Sequence, residues 1–451
     1  MQPTKLKVGV KRMSKKYVGK DVLKVDAKDK VTGEAQYPSD LKFEDYLHVK
    51  IKRATYPHAI LKTLDVSKAK QVEGVVDILT EKDYPDLNKF GLIIKDQPVL
   101  VKEGEKMRFM GDALAIIIAE TEEAALRARD KIEVEVEKLE VISNPQRALE
   151  KDAPTIHNDI GDLCTNYIDP DVGKQNILMD HHLEKGDVEK GFEEADFIVE
   201  NEYQTQHIDQ LPIQNEAGYA LYDENNDVIK IWAASQWLHD TQADVAQSIN
   251  LPKEKVRIIQ TAIGGAFGKK EDVSVHIHLA LAARHTKRPV KLVYTREESM
   301  ISQSKRHPLT IKAKTGVTND GYLTAWQVRV IGDAGAYASS SPAVVHKGMY
   351  HCTGPYNVPN VRGDSYAVYT NNTYGGAMRG FGTTQMAFAY ESQIDIIAHK
   401  LDMDPAQFRY QNAYDIGSTT PNGQKLGKSV NLKRTIESAT DLAQWEGEIK
   451  E

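Results

Sequence analysis

Residues 261–272, TAIGGAFGKKED, set three glycines within five positions directly behind an apolar, strand-like run from Val256 to Gln260. Gly264, Gly265 and Gly268 carry no Cβ, so the backbone there can take conformations closed to other residues and can bring its N–H groups close to an anion. This pattern calls for strand, tight turn and helix, with an apolar helix opening from the loop through Val275, Leu279 and Ala282. The loop fails two familiar tests for nucleotide binding. A Walker A lysine is followed by Ser or Thr, and no GxGxxG occurs. ATP and NAD are therefore not supported here, and a turn that packs a helix close to a strand is the plain structural alternative.

A second glycine loop, TNNTYGGAMRGFGTTQ, surrounds Arg379 and Phe381 with Gly375, Gly376, Gly380 and Gly382. It sets one cation and one aromatic ring on permissive backbone, which suits approach to a cofactor oxygen and stacking on a flat substrate. A loop of this kind taken alone is more often structural.

At 451 residues the chain exceeds one compact core, because domains run to roughly 100 to 200 residues each. Its first part mixes the alternating segment Tyr46 to Ile51, the apolar strand Ala113 to Ala119 and a helix with Ala125, Leu126, Arg129 and Ile132 at helical spacing. The polar, Gly/Asp/Pro-rich stretch from Asn158 to Lys174 reads as a linker. Hairpins are expected around Asn225-Asn226-Asp227 and Asn319-Asp320-Gly321, Thr295 and Glu298 match a capping box, and a last helix is expected to align Leu432, Ile436, Ala439 and Trp445. The fold class is α+β.

Several partners are disfavoured. Lysine and arginine total 58 against 65 acidic residues, a net charge of −7, which gives no field for nucleic acid or an anionic membrane. The two cysteines, Cys164 and Cys352, stand far apart and supply neither a disulfide framework nor the thiolates of an iron–sulfur cluster, so any cluster must come from another chain. The basic N-terminus lacks a signal peptide's apolar core, and the apolar run Ala113 to Ala119 is too short to span a membrane, so a cytoplasmic protein is expected. His276 and His278 lie two apart, the wrong spacing for one helical face, and are expected in the core or an interface; His181-His182, Lys305-Arg306-His307 and the glutamates near Glu193 are expected to be solvated or structural.

The segments VGKDVLKVDAKDKVTGEAQYPSDL, RATYPHAILKTLDVSKAKQVEGVVDILT, QPVL, MRFMGDALAIIIAET, GDVEKGF, SQW, GGAFGKKE, SKRHP, PNVRG and AMRGFG follow one another along the chain. In that order, from about Val18 to Trp445, they resemble the molybdopterin-binding subunit of the molybdenum hydroxylases, the xanthine dehydrogenase and aldehyde oxidase family. The resemblance implies an α/β hammerhead domain over residues 1–165 and, over 166–451, a molybdopterin-binding domain that is the first half of the molybdenum-binding region. It implies molybdenum held by a pterin dithiolene, as the molybdopterin cytosine dinucleotide, with no side chain ligating the metal directly. By the same resemblance Gln236 of SQW hydrogen-bonds a molybdenum oxo group, while Gly265, Ala266, Phe267 and Gly268 lie along the cofactor. Arg379 lines the metal loop, Phe381 packs on the substrate ring, and Glu271 matches a substrate-binding glutamate.

Three departures qualify the match. Ala266 and Lys269 replace glycines of the usual GGGFGGKE, so the loop must tolerate a Cβ at both sites or shift its backbone. Lys347 stands where purine enzymes use an arginine, which argues against xanthine itself, and AMRGFG has no cysteine for a copper thiolate. The chain also matches only the first half of the family's usual length. A split subunit is implied, with a second molybdopterin polypeptide carrying the general-base glutamate, a subunit with two 2Fe–2S clusters, and an FAD subunit passing electrons to NAD(P). The terminal metal ligand would be sulfido or selenido. The implied reaction inserts water-derived oxygen at a ring carbon of a small N-heteroaromatic substrate, nicotinate to 6-hydroxynicotinate being the first expectation. A purine or aldehyde dehydrogenase subunit and a non-catalytic scaffold are the alternatives.

Overall fold

The protein is represented by a computed structural model that describes residues 17–158, 173–447 and 449. The expected linker lies almost wholly outside the described residues, as do Cys164 and the 165/166 boundary.

Ala113–Ala119 is buried at every position, which a strand achieves only when both faces of its sheet are covered. It sits inside a seven-stranded mixed sheet with the order Val256–Gln260, Val228–Ala233, Ala217–Asp223, Val290–Val293, Leu47–Arg53, Ala113–Ala119, Val75–Leu79. Leu47–Arg53 pairs antiparallel with Ala113–Ala119 and parallel with Val290–Val293, so strands from both sides of residues 159–172 share one sheet. Helix His276–Thr286 covers it, burying Ile277, Leu279 and Ala280 to Ala283.

A second sheet of five strands runs Ile177–Lys185, Asn360–Tyr369, Leu323–Gly335, Leu309–Val317, Phe197–Gln204. Helices Ser341–Tyr350 and Thr383–Lys400 pack on it around Trp326, Met349, Met386 and Ile394. A small third sheet joins Lys106–Met107, Ala59–Asp65 and Glu133–Lys138.

Both expected hairpins are present: Asp223 pairs with Val228 across Asn225–Asp227, and Val317 with Leu323 across Asn319–Gly321. The capping box forms too, with Glu298 N–H donating to Thr295 Oγ1 at 3.1 Å and Thr295 N–H to Glu298 Oε2 at 2.8 Å. Two expectations need correction. The apolar helix does not open from the glycine loop but starts at His276, and the loop instead closes on itself through Lys269 N–H to Ala266 O (3.0 Å) and Glu271 N–H to Gly268 O (3.1 Å). The difference is tertiary: Gly268 takes a φ of +108° and Phe267 one of 57°, and these left-handed residues, held by contacts with the second loop, do not propagate a right-handed helix. The last helix, Leu432–Ala443, stops before Trp445, because Gln444 adopts a left-handed φ of 50° and the Trp445 indole N–H donates instead to Asp404 Oδ2 at 2.9 Å. Among the described residues no helix is long and apolar enough to cross a membrane.

Candidate active site

Gln236 lies between strand Val228–Ala233 and helix Leu238–Ser248, in a turn held by Trp237 N–H donating to Ser235 Oγ at 3.0 Å. Its main-chain N–H donates to Lys270 O at 2.8 Å. Its side-chain carbonyl accepts from Gly268 N–H at 3.0 Å and Lys270 N–H at 3.3 Å. These two donors fix the amide's orientation. The amide NH₂ is left exposed and makes no hydrogen bond among the described residues.

The glycine loop that holds this carbonyl is itself pinned. Gly264 N–H donates to Gln214 Oε1 at 2.6 Å, and Gln214 N–H returns to Gly264 O at 3.2 Å. Gly268 sits at φ +108°, where a Cβ would come within 2.2 Å of Ala377 O, so only glycine lets the two loops close on each other. Beside it Phe267 takes a left-handed φ of 57° and leaves its ring half exposed. Ala266 and Lys269 have no positive φ, so the Cβ atoms that depart from the family pattern are accommodated without backbone strain.

The second loop meets the first backbone to backbone, Arg379 N–H donating to Phe267 O at 2.9 Å. Arg379 itself is exposed, and its carbonyl accepts from Arg306 Nη2 at 2.9 Å. Phe381 follows at a φ of 52°, with the Lys347 ammonium 5.7 Å from its ring centroid. Lys347 reaches that ring from the solvent side of helix Ser341–Tyr350, a helix that crowds the loop so closely that a Cβ at Gly382 would lie 2.3 Å from Val344 O. Glu271 lies on the first loop's turn. Its Oε2 is buried without a partner, and burial, aided by the neighbouring Asp272, pushes its carboxyl up to about 7. Asp272 is pushed up to about 6 by burial, although Ser339 Oγ donates to it at 2.6 Å.

The structure thus joins Gln236, Gly268, Phe267 and Arg379 through direct hydrogen bonds, and Lys347 to Phe381 through a cation–ring contact. Glu271 lies on the turn of the facing loop, its N–H donating to Gly268 O at 3.1 Å. The residues fit a bound pterin cofactor: an amide donor with no partner among the described residues, a glycine cradle and an exposed arginine stand on loops joined by direct hydrogen bonds. Two histidines with an unpromising spacing, His276 and His278, are buried in their helix, and burial pushes both down to about 4.

Sequence reasoning missed a group beneath the loops. Lys269 is 0% exposed, with its ammonium 2.8 Å from both carboxylate oxygens of Asp209, and Lys305 reaches the same carboxylate at 2.9 Å. Lys305, expected to be solvated or structural, is buried. Lys270 is buried as well; its ammonium donates to Gly265 O at 2.6 Å and Gln214 O at 3.1 Å, and burial pushes it down to about 8. The only sequence signal was the replacement of a glycine by Lys269.

Two family models match the chain, the molybdopterin cofactor-binding domain over residues 169–413 and the aldehyde oxidase and xanthine dehydrogenase a/b hammerhead domain over 32–140. The chain is 44% identical over 433 residues to the nicotinate dehydrogenase large molybdopterin subunit of Eubacterium barkeri, covering 96% of this chain and 98% of that one. It is 38% identical over 395 residues to a probable xanthine dehydrogenase polypeptide of Bacillus subtilis, covering 87% and 51%. Among solved structures it superposes on the aldehyde oxidoreductase of Desulfovibrio gigas with a TM-score of 0.84 at 29% identity, over 94% of this chain and 47% of that one. The Cu,Mo-CO dehydrogenase gives a TM-score of 0.85 at 27% identity, over 95% and 55%. The chain therefore spans nearly all of the first relative and about half of the others.

Proposed function

Because the chain belongs to the molybdopterin cofactor-binding family of aldehyde oxidase and xanthine dehydrogenase, and is the molybdopterin-binding subunit of a molybdenum-dependent hydroxylase, we propose that its substrate is a small N-heteroaromatic acid of the nicotinate type. The observation that carries the site assignment is Gln236, whose carbonyl is consumed by Gly268 and Lys270 while its NH₂ stands free beside the Phe267 and Arg379 loops. When bound, the molybdenum cofactor, in the cytosine dinucleotide form, supplies the two-electron chemistry of the hydroxylation.

This chain's own residues bind and orient. Gln236 offers a preorganised donor to the cofactor, whose position needs no reorganisation during reaction. Gly265, Ala266 and Gly268 would shape the cradle that holds the cofactor, the exposed Arg379 would offer it a cation, and the half-exposed Phe267 ring would shield it from water. Phe381 stacks on the substrate ring, and Lys347, 5.7 Å above Phe381, pairs with the substrate carboxylate. Burial raises the Glu271 carboxyl to about 7, so near neutral pH both its protonation states are accessible and it can donate or accept a hydrogen bond to the substrate.

The substrate reading is supported by the relative named for nicotinate, which this chain matches along almost its whole length. A division into a hammerhead domain over 1–165 and a molybdopterin-binding domain over 166–451 is supported by the two family models falling on either side of it. The complete enzyme then needs a second molybdopterin polypeptide with the general-base glutamate, a subunit with two 2Fe–2S clusters and an FAD subunit. The test is to purify the complex, measure molybdenum and cytosine nucleotide, and assay nicotinate, hypoxanthine and an aromatic aldehyde. Molybdenum, released CMP and a preference for nicotinate are expected; a metal-loaded complex that prefers the purine or the aldehyde overturns the substrate assignment.

A further inference from the structure

The turn that presents Phe267 is held in a conformation that its own sequence does not favour. A phenylalanine at a φ of 57° is an outlier for a bulky residue, and Phe381 in the facing loop repeats it at 52°. Such backbone persists only where its surroundings over-determine it. On the cofactor side the two loops are joined by Arg379 N–H to Phe267 O and by the close approach of Gly268 to Ala377. Gln210 Nε2 adds a buried bond to Ala377 O at 2.8 Å.

Beneath them a second tie closes the frame. Lys269, one residue after Gly268, grips both oxygens of Asp209 from a fully buried position. Asp209 also accepts Leu211 N–H at 2.7 Å, which fixes its own segment. The third member, Lys305, donates to Asp209 Oδ2, while its main chain runs beside the second loop through Lys305 N–H to Tyr374 O (3.1 Å) and Gly376 N–H to Lys305 O (2.9 Å). One carboxylate thus binds both glycine loops from below. These charges are all held out of water, with the buried carboxylate of Glu216 also acting on Lys305, and burying so many ions is a costly arrangement to keep for stability alone.

We propose that Lys269 is a positioning residue: with Asp209 and Lys305 it forms a buried ion triad that locks the two glycine loops together, and so sets the placement of Gln236 and Phe267 toward the cofactor. The proposal rests on the reading that these loops face the cofactor. Lys269 touches neither cofactor nor substrate and acts through the backbone of Gly268. Where the loop usually carries glycine, this chain has replaced a flexible joint by a charged anchor.

Lys269→Met leaves Asp209 still paired with Lys305, whereas Asp209→Asn takes the shared carboxylate away from both ammonium groups. In the holo-complex, K269M should keep its molybdenum, lose roughly 10- to 100-fold in kcat with little change in KM, and alter the electron paramagnetic resonance line shape of the partly reduced metal, because small misplacements in a site have effects of that size. K305M, which breaks the tie to the second loop and leaves Lys269 on Asp209, should shift the same signal. A loaded K269M or K305M with wild-type kcat and an unchanged signal overturns the proposal, even if its Tm falls. If neither variant loads cofactor the proposal is also overturned, since the triad then holds up the fold and not the loops. Phe267→Leu is the control: should it leave the signal unchanged, it is the placement of the cofactor that fails and not the triad.

Discussion

The main-chain N–H of Arg379 donates to the carbonyl oxygen of Phe267 at 2.9 Å, and this bond joins a loop of the seven-stranded sheet to a loop of the five-stranded one. Neither loop forms the site without the other. Gln236 is oriented by the first, Arg379 and Phe381 are carried by the second, and the face between them belongs to neither sheet.

Gly268 is where the two loops come closest. Gly268→Ala would place a Cβ 2.2 Å from Ala377 O at a φ of +108°. We expect a destabilisation of about 1–3 kcal/mol and loss of cofactor occupancy, read by thermal melting and metal analysis of the purified complex. Ala266→Gly, at an ordinary backbone conformation, should load cofactor normally.

The Lys347 ammonium above Phe381 should matter only to an anionic substrate. A charged hydrogen bond is worth about 1.5–3 kcal/mol, so Lys347→Met should raise the KM for nicotinate roughly 10- to 100-fold. Turnover of an uncharged heterocycle such as quinoline should be unaffected. An unaltered KM for nicotinate would remove Lys347 from the substrate site.

Glu271 and Asp272 give the fold a defined pH response. Burial raises their carboxyls to about 7 and about 6, above the values of the unfolded chain, so the folded protein binds more protons than the unfolded one across that interval. Their contribution to stability is complete below the ordinary carboxylate range and is lost as pH rises through 6 and 7. Denaturation midpoints of wild type and Glu271→Gln should agree at pH about 4 and diverge toward pH about 8, with the glutamine variant the more stable at the higher pH. Parallel midpoints across the range would contradict this.

Much of the framework was legible in the sequence because it is local. Alternation gave the strand Leu47–Arg53, an apolar run gave Ala113–Ala119, turn-forming Asn, Asp and Gly clusters gave the hairpins, and Thr295 with Glu298 gave a helix start. What failed was decided at a distance. The loop before the helix at His276 turns through left-handed residues that meet the second loop, contacts no local pattern reveals, and Trp445 leaves its expected stripe for Asp404. The site was legible in a different way. Spacing alone gave no reason to unite Gln236 with Gly268 or Phe267 with Arg379; the ordered motifs of the family did, and the hydrogen bonds now supply the physical link.

The most direct test of the account is Gln236→Glu, since a carboxylate keeps the two acceptor bonds from Gly268 and Lys270 but removes the NH₂. With the loop intact and the donor gone, the barrier should rise by about 2.7–4 kcal/mol, a loss of roughly 10²–10³ in kcat. Molybdenum content should remain at the wild-type level and the paramagnetic signal of the reduced metal should change. A fully loaded Gln236→Glu complex that turns over nicotinate at the wild-type rate would contradict the placement of the cofactor at this site.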